Sequence, residues 1–396
     1  MKILLVHNRY QSKGGEDTVF DAEYKMLINN GDDVQTLIFD NKKIVSFADK
    51  IYTSLNSFYN RNSARKMEDA ILSFHPDIIH VHNFFYIASP SIFFVAHKYA
   101  VPVVMTLHNY RLICANGLLF RNVQVCTLCT KKVVPFDGIL YKCFQNSNIG
   151  TASVSLMTSF HKIIGTWKHK VDRYIALSEF ARKIFLESSL QLAPEQIITK
   201  VNFVEDPGPE ILEREDYYLF VGRLSEEKRI QTVLKAQSKY KFKIKIIGDG
   251  PFRYIVENAA SENENIEFLG IQSREFIIDM MKRSRALLFT SLWYEGMPMT
   301  ILEAFSTGTP VISSDKGILS TLIRDNVNGF LFESGNSEGL AEKIEFFDTH
   351  IDELKDFYKN ARQTYLDNYT PELNYKLLIG IYEDVIKQKK SQLKLP

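Results

Sequence analysis

Tyr217-Tyr218-Leu219-Phe220-Val221-Gly222-Arg223-Leu224 opens the second half of the chain, and Ser225-Glu226-Glu227-Lys228 follows it. The run Tyr217–Val221 is apolar without alternation, which is the pattern of a parallel strand covered on both faces. Gly222 closes it with a turn, and the charges begin a crossover. The rhythm repeats outward in both directions. Toward the C-terminus it gives Phe242–Gly248, Ile266–Gly270, Ala286–Ser291, Pro310–Ser314 and Gly329–Glu333. Toward the N-terminus it gives Ile198–Val204, Tyr174–Ser178, Pro102–His108, Asp77–His82, Val34–Phe39 and Lys2–His7. The stretches between are amphipathic and long enough for crossover helices. Two doubly wound α/β domains in tandem are predicted, with ligand at the carboxyl ends of the strands and the interdomain cleft as the default site.

Glu205-Asp206-Pro207-Gly208-Pro209-Glu210, acidic and turn-rich, divides the two. Residues 1–204 are read as the N-terminal domain and 205–371 as the C-terminal domain. Tyr369-Thr370-Pro371 breaks the chain again, and 372–396 reads as a terminal helix packing back on the N-terminal domain. Its end, with Lys387, Lys389, Lys390 and Lys394, reads as a solvated terminus rather than a lipid-binding tail.

The chain has 396 residues, a 45% hydrophobic fraction and a net charge of +1, which argues against disorder and against a wholesale nucleic-acid binder. No apolar run reaches the roughly 18–20 residues of a membrane span, and Met1–His7 is too short and interrupted for a signal peptide. A cytoplasmic protein is expected. The charge is divided unevenly. Residues 1–204 carry 23 Lys/Arg and 16 Asp/Glu, a net +7, and residues 205–396 carry 25 and 31, a net −6. A basic first half suits an anionic acceptor or membrane surface.

Several turns carry possible chemistry. Gly14-Gly15-Glu16-Asp17 follows the first strand, and adjacent glycines there let backbone N–H groups approach a phosphate at a helix start. No GxGxxG or Walker sequence is present, so nicotinamide and P-loop readings lose support. Arg223 and Lys228 offer a fork and a point charge to one pyrophosphate. Gly248-Asp249-Gly250-Pro251 is a second tight turn beside the same edge. The strongest feature is Glu295-Gly296-Met297-Pro298-Met299-Thr300-Ile301-Leu302-Glu303-Ala304. Pro298 suits the first turn of a helix starting there, which leaves Glu295 before the helix and Glu303 inside it. Taken singly, each glutamate also reads as a cap or an exposed helical charge.

In this order the pieces resemble the retaining glycosyltransferases of family 4, which have the GT-B fold of two facing Rossmann-like domains. The resemblance covers essentially the whole chain. It rests on Gly14-Gly15-Glu16, Pro76–His82, Thr106-Leu107-His108, Gly222-Arg223-Leu224 with Lys228, Gly248–Gly250, the Glu295/Glu303 pair, Gly308–Ile312 and Asn328-Gly329-Phe330. It implies a nucleotide diphosphate sugar donor bound mainly by the second domain, through Gly222, Arg223, Lys228, Gly250, Glu295, Gly296, Met297 and Glu303. Arg223 and Lys228 would hold the pyrophosphate and offset leaving-group charge without a metal. Glu295 would contact the sugar and Glu303 the ribose, with the base near Gly248–Gly250 and Leu269–Ile271. From the first domain, Gly14 and Gly15 would approach the diphosphate, Glu16 the acceptor and His108 the sugar. Many relatives carry Asp after this His, where the present chain has Asn109. No carboxylate nucleophile is legible beside His108, and the resemblance implies a front-face retaining mechanism.

Other readings stand beside these. His80 and His82 face one side of a strand and read as packed histidines rather than a metal pair. The four cysteines, Cys114, Cys126, Cys129 and Cys143, are spaced C-x11-C-x2-C-x13-C within an insertion at about 110–150, which reads as a structural zinc site. Some bacterial family-4 enzymes of surface polysaccharide assembly carry a similar insertion. No cofactor is expected for catalysis. Phe160, Ile163, Ile164, Trp167 and Val171 fall on one face of a single helix, packed on the sheet or lying at a membrane interface. The expected function is a retaining transferase moving a sugar to a saccharide or lipid-linked saccharide acceptor, in bacterial surface polysaccharide biosynthesis, with peripheral contact to an anionic membrane. A sugar-nucleotide epimerase and a silent zinc-bearing scaffold are the rivals.

Overall fold

The computed structural model describes residues 1–11, 14–43 and 46–393. Ser12 and Lys13, beside the glycine pair, and Lys394 of the lysine-rich end lie outside the described residues. The chain divides into two compact units. One holds Met1–Leu119, Thr127–Asn202 and the chain from Asn374 onward; the other holds Phe120–Cys126 and Phe203–Leu373.

The first unit is built on strands β1 (Lys2–Arg9), β2 (Asp33–Asp40), β3 (Ile78–Val81) and β4 (Val103–Leu107). A short antiparallel hairpin, β5 (Phe120–Arg121) and β6 (Gln124–Val125), interrupts the series and groups with the second unit. Strands β7 (Arg173–Ala176) and β8 (Ile197–Thr199) complete a parallel sheet in the order β2-β1-β3-β4-β7-β8. Burial follows position in the sheet. All four residues of β3 are buried, whereas in the edge strand β2 only Phe39 is fully buried.

The second unit has β9 (Tyr218–Val221), β10 (Ile244–Ile247), β11 (Ile266–Gly270), β12 (Leu287–Phe289), β13 (Val311–Asp315) and β14 (Gly329–Glu333). Their parallel order is β11-β10-β9-β12-β13-β14. Tyr218, Phe220, Ile244, Ile246, Leu288, Ile312 and Phe330 from these strands share one core with Val233, Leu340 and Phe347 from the covering helices. In each sheet the chain reverses its direction of growth at one place: between β1 and β3 in the first, between β9 and β12 in the second. Loops leaving the carboxyl ends of those strands flank a natural crevice. Among the described residues they are Tyr10, Gln11 and Gly14, with His82–Asn83, in the first unit, and Gly222–Lys228 and Thr290–Glu295 in the second.

Three local readings change. The stretch 160–171 is not one helix. Helix Asn148–Ile163 ends at Ile164, Gly165 turns left-handed with φ 72°, and a short helix Thr166–His169 restarts. Phe160 and Ile163 are therefore exposed while Trp167 and Val171 are buried, and they share no face. Pro298 sits as the cap of helix Met299–Ser306 rather than as its first residue. The terminal helix is docked through most of its length. Arg173 donates to Asp384 at 2.8 Å, and Lys389 donates to Asp172 at 2.8 Å, so part of the lysine-rich end is held rather than solvated.

Candidate functional site

In the second unit, β9 delivers Gly222 and Arg223 to the reversal point. Gly248 and Gly250 then explain why this corner needs glycine. A Cβ on Gly248 would meet the Gly222 carbonyl oxygen at 1.9 Å, and one on Gly250 would meet the Leu224 carbonyl oxygen at 2.5 Å. Their φ values of 145° and 154° add the backbone requirement. The two turns thus pack backbone on backbone, and Gly248 N–H donates to the Gly270 carbonyl at 2.8 Å, which joins Leu269–Ile271 to the same corner. Arg223 is exposed.

Lys228 is anchored to the neighbouring strand end, since Thr290 Oγ1 donates to its carbonyl at 2.8 Å. Its Nζ donates to Glu295 Oε1 at 2.6 Å. Ser291 Oγ at 2.5 Å and Trp293 Nε1 at 2.6 Å donate to the same oxygen. Glu295 is only 5% exposed, so three donors hold a buried carboxylate in one orientation. Lys228 also lies 4.9 Å from the Phe289 ring centroid. Glu303, on helix Met299–Ser306, accepts from Arg274 Nε at 3.0 Å. Burial pushes its carboxyl above the usual range, and Arg274 pulls the other way. Gly296 and Met297 fill the turn between the two glutamates, Met297 buried.

The first unit holds a second cluster. Gly14 precedes helix Gly15–Asn29, and its N–H donates to Asp17 Oδ2 at 2.8 Å. A Cβ on Gly14 or Gly15 would meet nothing within 4 Å, and neither glycine has a left-handed φ, so packing does not require glycine at either position. Asp17 is also bonded to His7 Nε2 at 2.9 Å. Burial raises its carboxyl, but the bonds from His7 and Gly14 prevail and hold it low.

Glu16 accepts from Asn109 Nδ2 at 2.6 Å. Burial pushes its carboxyl up, with Asn109 and Arg111 opposing. Asn109, the departure from the family pattern, is thus the donor that a buried glutamate needs; aspartate there would set two carboxylates face to face. Glu16 thus stands next to the residue after His108, bonded to Asn109.

His108 continues inward. Its Nε2 lies 3.0 Å from His82 Nδ1. His82 Nε2 lies 3.1 Å from Glu23 Oε2. Glu23 Oε1 accepts from Lys200 Nζ at 2.8 Å, and Lys200 also donates to Asn374 Oδ1 at 2.8 Å. His80 is spent on both nitrogens, against Tyr382 OH at 2.7 Å and Thr106 Oγ1 at 2.8 Å. Burial holds His80 and His108 well below the usual imidazole range and lowers His82. For Glu23, burial raises the carboxyl, but Lys200 and the histidines outweigh it and keep it well below its ordinary value.

Glu23, His80 and His82 bring three ligand atoms within 4.8 Å of one another. The lysine on Glu23 and the two occupied nitrogens of His80 make this a closed hydrogen-bond network rather than a cation site. Sequence reasoning missed Glu23 and Lys200. The legible signal was a glutamate inside the buried stripe Val19, Phe20, Glu23, Met26, Leu27 of helix Gly15–Asn29.

Cys114, Cys129 and Cys143 belong to the first unit, and Cys126 falls in the hairpin segment grouped with the second. None of the four is in a disulfide, and Cys114 Sγ donates to Asn116 Oδ1 at 3.0 Å. Cys129 is buried, and burial, with Cys114, Asp137 and Cys143 nearby, pushes its thiol up to about 11. Cys114, Cys129 and Cys143 do not form a close ligand group among the described residues.

Residues 204–364 match the family described as glycosyl transferases group 1. An uncharacterized glycosyltransferase of Methanocaldococcus jannaschii is 31% identical over 178 residues, 44% of this chain and 48% of the relative. The lipopolysaccharide 1,6-galactosyltransferase of Escherichia coli K12 is 30% identical over 202 residues, 46% of this chain and 55% of the relative. The chain thus spans about half the length of these curated relatives. Anabaena HepE, solved in complex with UDP, superposes with a TM-score of 0.69 at 15% identity, covering 97% of this chain and 100% of that one. The two parallel-sheet units are those of the GT-B fold.

Proposed function

We propose that the protein is a retaining glycosyltransferase of family 4 that uses a nucleotide diphosphate sugar. One observation carries the reading. At the strand-order reversal of the second sheet, Lys228 and Glu295 meet at 2.6 Å, beside the exposed Arg223 and one helix from Glu303. A cation pair and two carboxylates at a strand-end crevice suit a diphosphate flanked by two polyols. HepE, which has this fold, was solved in complex with UDP.

In this reading Arg223 and Lys228 hold the diphosphate and offset the charge that grows as the glycosidic bond breaks. They need no metal for this. Glu295 takes three donors on Oε1, so Oε2 is the oxygen assigned to a sugar hydroxyl. Glu303 takes the ribose hydroxyls, and the Gly248–Gly250 corner takes the base. Gly296 and Met297 shape the backbone toward the donor. Gly14 and Gly15, glycines that packing does not demand, keep a backbone face open to a phosphate. His108 contacts the sugar as a neutral imidazole, and Glu16 faces the acceptor. The reaction keeps configuration by a front-face route in which the departing phosphate oxygen accepts the acceptor's proton.

The acceptor is a saccharide or lipid-linked saccharide of a bacterial surface polysaccharide, reached at the inner face of the cytoplasmic membrane. The net +7 of residues 1–204 supports an anionic acceptor or surface. No helix among the described residues is long and apolar enough to cross a membrane. On their spacing alone, Cys114, Cys126, Cys129 and Cys143 are proposed to hold a structural zinc ion, which four thiolates would close to catalysis; the described side chains are not gathered as a ligand set.

The test is release of nucleotide diphosphate from a panel of sugar nucleotides, in the presence of mixed lipid-linked and free saccharides. Turnover of one donor, lost in Glu295→Gln, supports the reading. Absence of turnover across the panel sinks it in favour of a scaffold role.

A further inference from the structure

Helix Asn148–Ile163 buries a mixed face, with Val154 and Met157 beside several hydroxyls, and turns an apolar stripe outward. Among its buried residues are Thr151, Ser155, Thr158 and Ser159. Three of these hydroxyls bond within the helix or its cap, Thr151 donating to the Ser147 carbonyl at 2.6 Å, Thr158 to the Val154 carbonyl at 3.0 Å and Ser159 to the Ser155 carbonyl at 2.6 Å. The outward residues are the apolar ones: Ile149 is 82% exposed, Leu156 49%, Phe160 45% and Ile163 70%. At about 100° per residue these four fall within an arc of roughly 60°. The neighbouring helix Phe136–Leu140, which packs against it, adds Phe136 at 69% and Leu140 at 72% exposure. Scattered exposed apolar residues are ordinary, but a continuous stripe of this size marks an interaction surface.

The charges around the stripe select the partner. From 128 to 170 the chain has six lysines and one acid. The acid, Asp137, is bound by Lys132 at 2.6 Å. Lys131, Lys142 and Lys168 are exposed, and no acidic residue lies in helix Asn148–Ile163. Two copies pairing through this stripe would bring lysines against lysines. A helix of 16 residues spans about 24 Å, too short to cross a hydrocarbon core and well suited to lie along one.

We infer that the face formed by helices Phe136–Leu140 and Asn148–Ile163 docks on an anionic lipid bilayer. The stripe sits at the acyl boundary, and Lys131, Lys142 and Lys168 meet the headgroups. The surface is the neighbour in sequence of the expected 160–171 helix, but it uses the opposite logic, since Trp167 and Val171 belong to the core. The inference rests on the proposed membrane-side acceptor and deepens it by naming the face that docks, and it is tested without turnover.

The experiment is flotation of the full chain with vesicles of phosphatidylcholine containing phosphatidylglycerol, and with phosphatidylcholine alone. The chain is expected to float with the anionic vesicles and to lose binding as salt rises. Lys142→Glu with Lys168→Glu is expected to weaken partitioning more than tenfold, at about fivefold per lysine removed near the surface. Ile149→Ser with Ile163→Ser is expected to weaken it by about tenfold or more, with an unchanged melting temperature because both side chains are already exposed. Equal binding to neutral vesicles, no binding to either, or concentration-dependent dimerisation abolished by Ile149→Ser with Ile163→Ser would overturn the inference. Failure to float with transfer activity intact would remove the docking surface and leave the enzyme reading standing.

Discussion

His108 Nε2 lies 3.0 Å from His82 Nδ1, and that contact begins a buried chain running through Glu23 to Lys200. Glu23 favours a proton on His82 Nε2, which leaves His82 Nδ1 to accept from His108 Nε2–H. In this tautomer His108 Nδ1 is the ring's remaining acceptor.

This chain makes acid a specific threat to the first unit. His80, His82 and His108 have folded values below 6.5, so the unfolded chain binds more protons there as pH falls. Glu23, held well below its ordinary 4.5, contributes stability present above that value and lost as pH falls toward its folded value. Both effects have one sign. The melting temperature of the first unit is expected to be flat above about pH 6.5 and to decline below it, more steeply under about pH 4.5. A calorimetric pH series checks this, and a flat profile into acid would contradict it.

Glu23→Gln removes the carboxylate from Lys200, which is 1% exposed at its side chain. Stranding a buried charge costs about 3–5 kcal/mol. A large drop in denaturation midpoint is expected. Glu23→Gln combined with Lys200→Met should recover much of it, because the pair is then removed together.

Asn109→Asp replaces a donor to Glu16 with a second carboxylate. The lost charge-assisted bond is worth about 1.5–3 kcal/mol. The destabilisation is expected to be present at neutral pH and to vanish in acid, where one carboxyl can donate to the other. Paired unfolding curves at the two pH values measure it.

Glu295→Gln keeps the shape but loses the charge that Lys228, Ser291 and Trp293 hold. Transfer is expected to fall by about a hundredfold or more, with nucleotide diphosphate affinity changed little. Equal loss of both would show that Glu295 holds the nucleotide.

Cys126→Ser tests the metal assignment. Purified chain is expected to carry one zinc per molecule by elemental analysis, lost in this variant together with stability of the insertion. Metal-free chain of normal stability would exclude the zinc.

The doubly wound sheets were legible because their strands are buried on both faces, and such strands show as unbroken apolar runs such as Tyr217–Val221 and Ile78–Val81. The strand-end positions of Gly222, Lys228 and Glu295 were legible too, since turn residues mark where β9 and β12 stop. The buried chain behind His108 was not. Glu23 lies on an otherwise apolar helix face and Lys200 at the end of an apolar strand, and only tertiary packing makes them partners. The break at Gly165 was missed because the periodicity of apolar residues continues across it while the backbone turns left-handed.

The most direct test of the donor assignment is thermal stabilisation by a panel of UDP, GDP, TDP and ADP. At a hundredfold excess over Kd a ligand adds about 2.7 kcal/mol, and each kcal/mol shifts the melting point by roughly 2–4 °C in domains of this size. One base is expected to raise the melting temperature by several degrees, and Arg223→Ala, at an exposed position, is expected to abolish the shift while leaving the unliganded chain unchanged. No shift with any nucleotide, or a shift untouched by Arg223→Ala, would contradict the assignment of this site to a nucleotide diphosphate sugar.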